Sequence, residues 1–483
     1  MLCIFASKEI TMKEDIIGRT YEIKRLEKLC KSKKSEFVTI YGRRRVGKTF
    51  LVTSLFENKL AFYASGIIDG DKEDQMSSFY KSLKKYGCDS SKPDSWYDAF
   101  DLLSQIIEKQ DNTEKKIIFL DEIPCFDTPR MDFVKALGYF WNSFVAFRKD
   151  IMLIVCGSAT SWIVSNIIDN HGGLHNRTTA QIYLQQFTLG ETEMYLKTNK
   201  FHWNRKIIAE VYMIFGGVPY YLSLLDNTET FGANIDRLYF SQNGELWREY
   251  QQLYKSLFKN SAPYMKIIEK LAESKSGLSK TEISKAAELN RNGDLSQMLE
   301  NLQYSGLIRC FYGKSRGKIK KRDSYYQITD LFTLFHLSFA AKHPNPTFWQ
   351  DRLSSPLINT WCGLAFERVC LWHIPQIRKA LGLGRVAVEY YSWRSNGTPR
   401  AQIDMIIERA DNLINICEIK FASSLFTITK DADMDMRNRI ETFRAESGTK
   451  CGLIPTWITS YGLKNNEYSD EIQYQVTLDD LYE

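Results

Sequence analysis

The sequence lacks any stretch that approaches about eighteen uninterrupted apolar residues, so no membrane-spanning helix is predicted. Its first residues lack a basic region followed by a proper apolar core, which argues against a secretory signal. The ten cysteines are scattered and form no C-x-x-C pair with histidines at zinc spacing, which indicates free thiols. We therefore expect a cytoplasmic protein without a zinc site or a disulfide framework.

Strong charge of one sign is also absent, because the net charge is only +6 over 483 residues. This mild basic excess permits a nucleic-acid partner but does not require one. The chain is long enough for several domains with their own cores. The distribution of motifs along it is therefore more informative than its composition.

A phosphate-binding loop is predicted near the start. The run EFVTIYG indicates a buried strand, and it is followed by Gly42-x-x-x-x-Gly47-Lys48-Thr49 and by a helical pattern. In this context the glycines let backbone N–H groups face phosphates, Lys48 reaches the β- and γ-phosphates, and Thr49 ligates Mg²⁺. ATP and Mg²⁺ are thus the predicted cofactors. The residues predicted to contact the nucleotide are Gly42, Arg43, Arg44, Arg45, Val46, Gly47, Lys48, Thr49 and Phe50.

A second buried strand, in EKKIIFLDEIP, ends in an acidic pair. Asp121 is predicted to hold Mg²⁺ through water, and Glu122 to polarise the water that attacks the γ-phosphate. This position suits catalysis, because α/β sheets place their ligands at the carboxyl ends of strands. A third strand, IMLIVCGSAT, ends at Ser158, and two interpretations stay open: it senses the γ-phosphate, or it only begins a loop.

The segments IIGRTYEIKRLEKL, YGRRRVGKT, FLDEI and FGGVPYYL together resemble the archaeal-type ATPase family, a STAND-like branch of the P-loop ATPases within the AAA+ group. The resemblance covers roughly residues 15 to 250. It implies that Gly18 and Arg19 lie by the adenine and that Pro219 packs a helical lid against the base. It also makes Arg177 similar to an arginine that acts as a finger or sensor on the γ-phosphate, although an ordinary surface arginine is the alternative.

The middle of the chain predicts three short helices followed by a hairpin, the pattern of a winged helix-turn-helix. Seven basic residues and no acidic one occur from Arg309 to Arg322, around the tip GKSRGKIKKR. This tip is predicted to lie along DNA phosphates. Two alternatives stay open, namely a solvated tip that keeps the edge soluble and a module that docks a protein or has a regulatory role.

The segment AQIDMIIERADNLINICEIKFA alternates as two strands joined by a turn. Asp404 is expected at the centre of the first strand, while Glu418 and Lys420 share one face of the second. Asp404 and Glu418 could ligate Mg²⁺, Lys420 could position a nucleophile, and Glu367 on the preceding helix could complete the metal site. The alternative is a surface strand with ordinary charged residues.

The order of these four residues resembles the PD-(D/E)XK nuclease superfamily, and more narrowly a C-terminal domain of unknown function that follows the archaeal-type ATPase module. The resemblance implies DNA cleavage, or DNA binding by a fold that has lost cleavage. The predicted fold class is α/β, with a parallel-sheet P-loop ATPase, a helical lid, a winged helix-turn-helix and a restriction-endonuclease-like domain. The predicted divisions are a disordered leader (1–14), the ATPase core (15–190), the lid (191–255), the winged helix (256–340) and the nuclease-like domain (345–483).

The whole pattern predicts an ATP-hydrolysing switch that binds DNA and cleaves it at a Mg²⁺-dependent C-terminal site. The alternative is a STAND-type regulatory ATPase whose winged helix and C-terminal domain only bind DNA or a protein partner.

Overall fold

The structure is a computed structural model that describes residues 16–483 except 58, 111–113, 130–131, 259, 275, 292, 316–317, 343–344, 354, 396 and 398–400, and only the backbone for the rest of 312–323. The predicted leader and the side chains at the basic hairpin tip therefore lie outside the described residues. The chain divides into two compact units, the first ending at Gln185 and the second beginning at Gln186.

The first unit is built on a parallel sheet. Its strands are β1 (Glu36–Tyr41), β2 (Leu60–Ser65), β3 (Lys116–Asp121), β4 (Ile151–Gly157) and β5 (Ala180–Tyr183). Its helices are α1 (Thr20–Cys30), α2 (Lys48–Phe56), α3 (Lys72–Lys85), α4 (Trp96–Lys109), α5 (Ile123–Phe126), α6 (Phe133–Ser143) and α7 (Thr160–Ile163). The strands are ordered β2-β3-β4-β1-β5, and all neighbouring pairs are parallel.

Apolar side chains cover both faces of this sheet, which explains why β3 and β4 are apolar almost throughout. One face packs against α3, α4 and α6, and the other against α1 and α2. Because β4 lies between β1 and β3, it separates the strand of the glycine loop from the strand of the acidic pair. β4 ends at Gly157, one residue earlier than predicted, and Ser158 follows it directly. The three carboxyl ends therefore lie side by side at one edge of the sheet.

The second unit contains the remaining elements. Its helices are α8 (Leu189–Thr198), α9 (Arg205–Phe215), α10 (Pro219–Leu222), α11 (Phe231–Ile235), α12 (Glu245–Leu257), α13 (Ser261–Ala272), α14 (Lys280–Ala286), α15 (Gly293–Tyr304), α16 (Leu331–Phe335), α17 (Pro356–Trp372), α18 (Ile374–Ala380) and α19 (Lys430–Ser447). Its strands are β6 (Leu278–Ser279), β7 (Ile308–Ser315), β8 (Lys318–Ile328), β9 (Val388–Arg394), β10 (Gln402–Arg409), β11 (Leu413–Lys420), β12 (Gly452–Thr459) and β13 (Tyr474–Thr477).

These strands form two sheets. The short β6 pairs with β8, which forms an antiparallel hairpin with β7. The larger sheet has the order β13-β12-β11-β10-β9, antiparallel from β9 to β11 and parallel from β11 to β13. Its β11 face that carries Cys417 packs in the same core as α17, and its face that carries Ile416 packs in the same core as α19. The two helices thus cover opposite faces of one sheet.

The hairpin formed by β10 and β11 corrects one detail of the sequence prediction. β10 begins at Gln402, so Asp404 lies near the start of the strand instead of at its centre. A bulge between Ile403 and Ile406 interrupts the pairing of β10 with β9 at the same place. Across the described residues, no helix is both long enough and apolar enough to span a membrane.

Candidate functional site

The glycine loop between β1 and α2 has a backbone that only glycine adopts without strain. Gly42 has a φ of 144°, and a Cβ there would lie 2.3 Å from the carbonyl oxygen of Leu184. Gly47 precedes α2 with a φ of 89°. Lys48 is buried, and its Nζ donates hydrogen bonds to the carbonyl oxygens of Gly42 (3.1 Å) and Arg43 (2.9 Å). The ammonium group is therefore held inside the curve of the loop, where a phosphate-binding lysine is required.

Arg19 also contacts this loop. Its side chain is buried, and its Nη2 donates a hydrogen bond to the carbonyl oxygen of Val46 at 3.1 Å. Arg19 directly precedes α1 in a left-handed conformation, which turns the chain toward the loop. Of the flanking loop residues, Arg43 is buried and Phe50 is exposed. A role of Arg19 beside the adenine stays a prediction.

Asp121 receives hydrogen bonds on both carboxylate oxygens. Its Oδ2 accepts from Thr49 Oγ1 at 2.7 Å, which joins the end of β3 to the start of α2. Its Oδ1 accepts from the backbone N–H of Glu122 at 2.9 Å and from the Cys156 thiol at 2.6 Å. The structure thus brings together the two predicted Mg²⁺-binding side chains, Thr49 and Asp121.

The sequence did not predict the contact of the Cys156 thiol with Asp121, because an isolated cysteine is usually an inert core residue. The available signal was the position of Cys156 near the end of β4, two residues before Ser158. That signal becomes specific only when the strand order is known, since β4 must lie next to β3 for Cys156 to reach Asp121.

Ser158 contacts the second carboxylate of the acidic pair. Its hydroxyl donates to Glu122, with 3.0 Å to both Oε1 and Oε2, and its backbone N–H donates to Oε2 at 3.0 Å. Glu122 itself has a φ of 45°, in the left-handed region that is unfavourable for a side chain. The side chain proposed as the general base is therefore held in a defined orientation beside the end of β4.

Burial dominates the electrostatics of this cluster. It lowers the pKa of Lys48, while the nearby charge of Glu122, followed by Cys156 and Asp121, acts in the opposite direction. Burial, together with the charge of Asp121, raises the pKa of the Cys156 thiol well above its usual value. The same two causes raise the pKa of Tyr63 to about 12.

Two residues named from the resemblance lie elsewhere in the chain. Arg177 is exposed in the turn before β5, and its backbone N–H donates to the carbonyl of Leu174 at 3.0 Å. Pro219 is the first residue of α10, in the second unit. Their roles at the nucleotide stay predictions.

The predicted C-terminal site contains an ion cluster around Glu418. Lys420 Nζ lies 2.8 Å from Glu418 Oε1, which agrees with the expectation that the two residues share a face of β11. Glu418 Oε2 is paired with the guanidinium of Arg439, a residue of α19 that the sequence did not single out. The Glu418 carboxylate is nearly buried, whereas Lys420 and Arg439 keep 41% and 29% of their side chains exposed. Two cations therefore cover one buried carboxylate.

Glu367 and Asp404 belong to a second group of charges. Glu367 pairs with Arg368 (3.1 Å), and burial followed by the charge of Asp404 raises the pKa of Glu367 to about 7. Asp404 Oδ1 accepts from Gln402 Nε2 at 3.0 Å. Glu367, Gln402 and Lys420 also line a cavity of about 260 Å³. The structure thus places Glu367 close enough to Asp404 for their charges to interact, and Glu367 and Lys420 line the same cavity.

The metal site that Glu367 would complete with Asp404 and Glu418 stays a prediction. Among the residues that the structure describes, no three His, Cys, Asp or Glu side chains are grouped to hold a metal ion. Glu418 pairs with Arg439 on α19, whereas Glu367 lies on α17 and pairs with Arg368.

Comparison with known proteins identifies the first part of the chain. Residues 17–225 match the model of an ATPase domain found predominantly in Archaea. The chain is 24% identical over 395 residues to an uncharacterised protein of Methanocaldococcus jannaschii, covering 81% of this chain and 83% of the relative. An uncharacterised ATP-binding protein of the same organism is 42% identical over 43 residues, which cover 9% of this chain and 73% of that protein.

Among solved structures, the Walker-type ATPase of Pyrococcus abyssi has a TM-score of 0.46 at 16% identity, covering 68% of this chain and 98% of that one. The ORC2 protein of Aeropyrum pernix has a TM-score of 0.40 at 13% identity, covering 67% and 95%. The family match establishes that this chain contains an archaeal-type ATPase domain. That domain continues past Gln185 into the second unit, since the match ends at residue 225.

Proposed function

We propose, from the ATPase domain in residues 17–225, that this protein is an ATP-hydrolysing switch that binds DNA. The observation that carries the proposal is the network in which Lys48, Thr49, Asp121, Glu122 and Ser158 meet at one edge of a parallel sheet. Backbone groups of the loop and Lys48 bind the phosphates, and Mg²⁺ would be held by the Thr49 hydroxyl and, through water, by Asp121. Glu122 orients and polarises the attacking water.

The fit of Mg²⁺ to this site rests on the donor set. Thr49 and Asp121 supply hard oxygen atoms 2.7 Å apart, of the kind that Mg²⁺ prefers. Mg²⁺ takes few protein ligands and keeps water or phosphate oxygens in its remaining positions, so two side chains suffice here. When bound, the ion neutralises charge on the phosphates.

DNA binding is assigned to the region α13 to β8. Three helices followed by a hairpin have the order of a winged helix, and the sequence of the hairpin tip is basic without a counter-charge. Such a surface binds the DNA backbone with strong salt dependence and little sequence preference. Nucleotide state then controls how this surface engages DNA.

The C-terminal sheet has two candidate outputs. The first is Mg²⁺-dependent cleavage of DNA by Asp404, Glu418 and Lys420, as the resemblance to the PD-(D/E)XK superfamily implies. The second is binding of DNA or a protein partner without cleavage. The pairing of Glu418 with both Lys420 and Arg439 favours the second, because those cations neutralise the carboxylate that a metal would need.

The ATPase assignment is tested with the full chain by ATP binding and hydrolysis. Lys48→Ala should abolish phosphate binding and hydrolysis, because it removes the ammonium group that the carbonyl oxygens of Gly42 and Arg43 hold inside the loop. Lys84→Ala, at an exposed position of α3, is the matched control and should behave like the wild type. A Lys48→Ala protein that hydrolyses ATP normally would exclude the assignment.

The two C-terminal outputs are separated by a cleavage assay. Single-stranded DNA, double-stranded DNA and RNA are incubated with the full chain and Mg²⁺ or Mn²⁺, with and without ATP. Cleavage that is lost in Asp404→Ala and Lys420→Ala, but kept in the exposed control Lys464→Ala, supports the nuclease. Binding of DNA without cleavage of any substrate supports the second candidate, and cleavage that survives both changes contradicts the proposed active site.

A further inference from the structure

The thiol of Cys156 donates a hydrogen bond to Asp121, and the register of two neighbouring strands explains this contact. Leu120 of β3 pairs in parallel register with Val155 of β4, so Asp121 and Cys156 come next on the two strands. Both lie at the end of the sheet face that carries Phe119 and Ile154. Their contact is therefore imposed by the strand register.

The carboxylate of Asp121 needs an orienting partner. The last torsion of an aspartate side chain is broad, so its oxygen atoms are not placed by rotamer preference alone. Here the two oxygens have different partners: Oδ1 accepts from the Cys156 thiol at 2.6 Å and from the Glu122 backbone N–H at 2.9 Å, and Oδ2 accepts from Thr49 at 2.7 Å. A donor on Oδ1 at a fixed position directs Oδ2 toward Thr49.

Packing alone does not explain a thiol at this position. The preceding residues of β4 on the same face are Met152 and Ile154, both fully buried and apolar. Cys156 is equally buried, but it faces a carboxylate, and a valine there would fill similar space without donating a hydrogen bond. The polar group thus occurs where the strand faces Asp121.

We propose that Cys156 is a positioning residue for the ATPase reaction, which holds Asp121 in the orientation that binds Mg²⁺ together with Thr49. The proposal rests on the proposed function of Thr49 and Asp121. Cys156 acts through Asp121 and is not itself a ligand of the ion. Residues in this supporting position typically change metal affinity by roughly 10- to 100-fold when they are replaced.

The test compares Cys156→Thr with Cys156→Val, two side chains of the same shape that differ in a hydroxyl donor. For each full-length protein, calorimetry measures how much Mg²⁺ tightens ADP binding, and an ATPase assay measures the Mg²⁺ concentration for half-maximal rate. Cys156→Val should need roughly tenfold more Mg²⁺, with ADP binding in EDTA unchanged. Cys156→Thr should stay close to the wild type.

Controls separate positioning from folding. Cys88→Val, at a buried cysteine of the same unit that has no part in the site, should leave the Mg²⁺ dependence unchanged. If Cys156→Val melts early, Cys156→Ala removes the donor with less crowding and replaces it in the comparison. If Cys156→Thr and Cys156→Val show the same Mg²⁺ dependence while Asp121→Asn weakens Mg²⁺ binding, the proposal is overturned. If Asp121→Asn has no effect, the metal assignment itself fails.

Discussion

Acid should destabilise the second unit through His373, a fully buried residue between α17 and α18. Its Nε2 accepts the backbone N–H of Leu189 at 2.8 Å, and its Nδ1 donates to the carbonyl of Val369 at 2.7 Å. Protonation of Nε2 would set two N–H donors against each other. The neutral ring therefore fastens the first turn of α8 to the end of α17.

The magnitude follows from the pKa. Burial lowers the pKa of His373 from 6.5 to about 4. Because the folded-state pKa lies below the unfolded one, the unfolded chain binds more protons between these values, and stability falls as the pH decreases through this window. At about 1.4 kcal/mol for each pH unit, the loss is about 2 kcal/mol at pH 5 and about 3 kcal/mol at pH 4.

The assay is urea unfolding followed by circular dichroism at pH 7.5, 6 and 5. His373→Gln keeps an acceptor for the Leu189 N–H but cannot titrate. Between pH 7.5 and pH 5 its free energy of unfolding should therefore decrease by about 2 kcal/mol less than that of the wild type. His202→Gln, at an exposed position, is the control and should retain the full acid loss. Burial also lowers the pKa of His336 to about 4. His336 therefore contributes a similar loss of stability in acid, and this loss remains in both variants. The same acid sensitivity in His373→Gln and the wild type would refute this reasoning.

Three further predictions concern the charged groups. Lys48→Arg should bind ATP poorly, because the planar guanidinium does not fit the space in which Lys48 Nζ contacts two loop carbonyl oxygens. Nucleotide titration measures the ATP affinity of this variant, and an affinity equal to that of the wild type would contradict the prediction. Glu122→Gln should lower kcat by about 10²- to 10⁴-fold with nucleotide binding retained, whereas a normal kcat would exclude Glu122 as the base. Arg368→Met should destabilise the fold by about 1 to 3 kcal/mol, because it removes the buried donor of the Ile328 carbonyl and of the partly exposed Glu367 carboxylate. Arg437→Met, in an exposed ion pair, should change the stability much less, and equal melting curves for the two variants would contradict the comparison.

Local patterns were sufficient to predict the phosphate-binding loop. The spacing of Gly42, Gly47, Lys48 and Thr49 between a strand and a helix depends only on neighbours in the chain, and the structure places β1 and α2 around it. The position of the acidic pair at the end of β3 followed from an apolar run that stops at Asp121, for the same reason. The family match to residues 17–225 agrees with this part of the prediction.

The C-terminal prediction was less complete, because it depended on which helix covers which face. Alternation along β11 correctly placed Glu418 and Lys420 together. No local pattern could indicate that Arg439, from a helix later in the chain, also binds Glu418. The contribution of Glu367 was similarly undetermined, since its helix could have packed on either face of the sheet.

The sequence by itself determined the residue types that are predicted to bind phosphate and the ends of the strands that carry them, because both depend on short-range spacing. Only the tertiary structure decided the order of the strands, which depends on pairing between distant segments. That order brings Cys156 to Asp121 and Ser158 to Glu122. It also decided that residues 186–225 of the ATPase domain share one compact unit with the C-terminal sheet, through contacts such as that between Leu189 and His373.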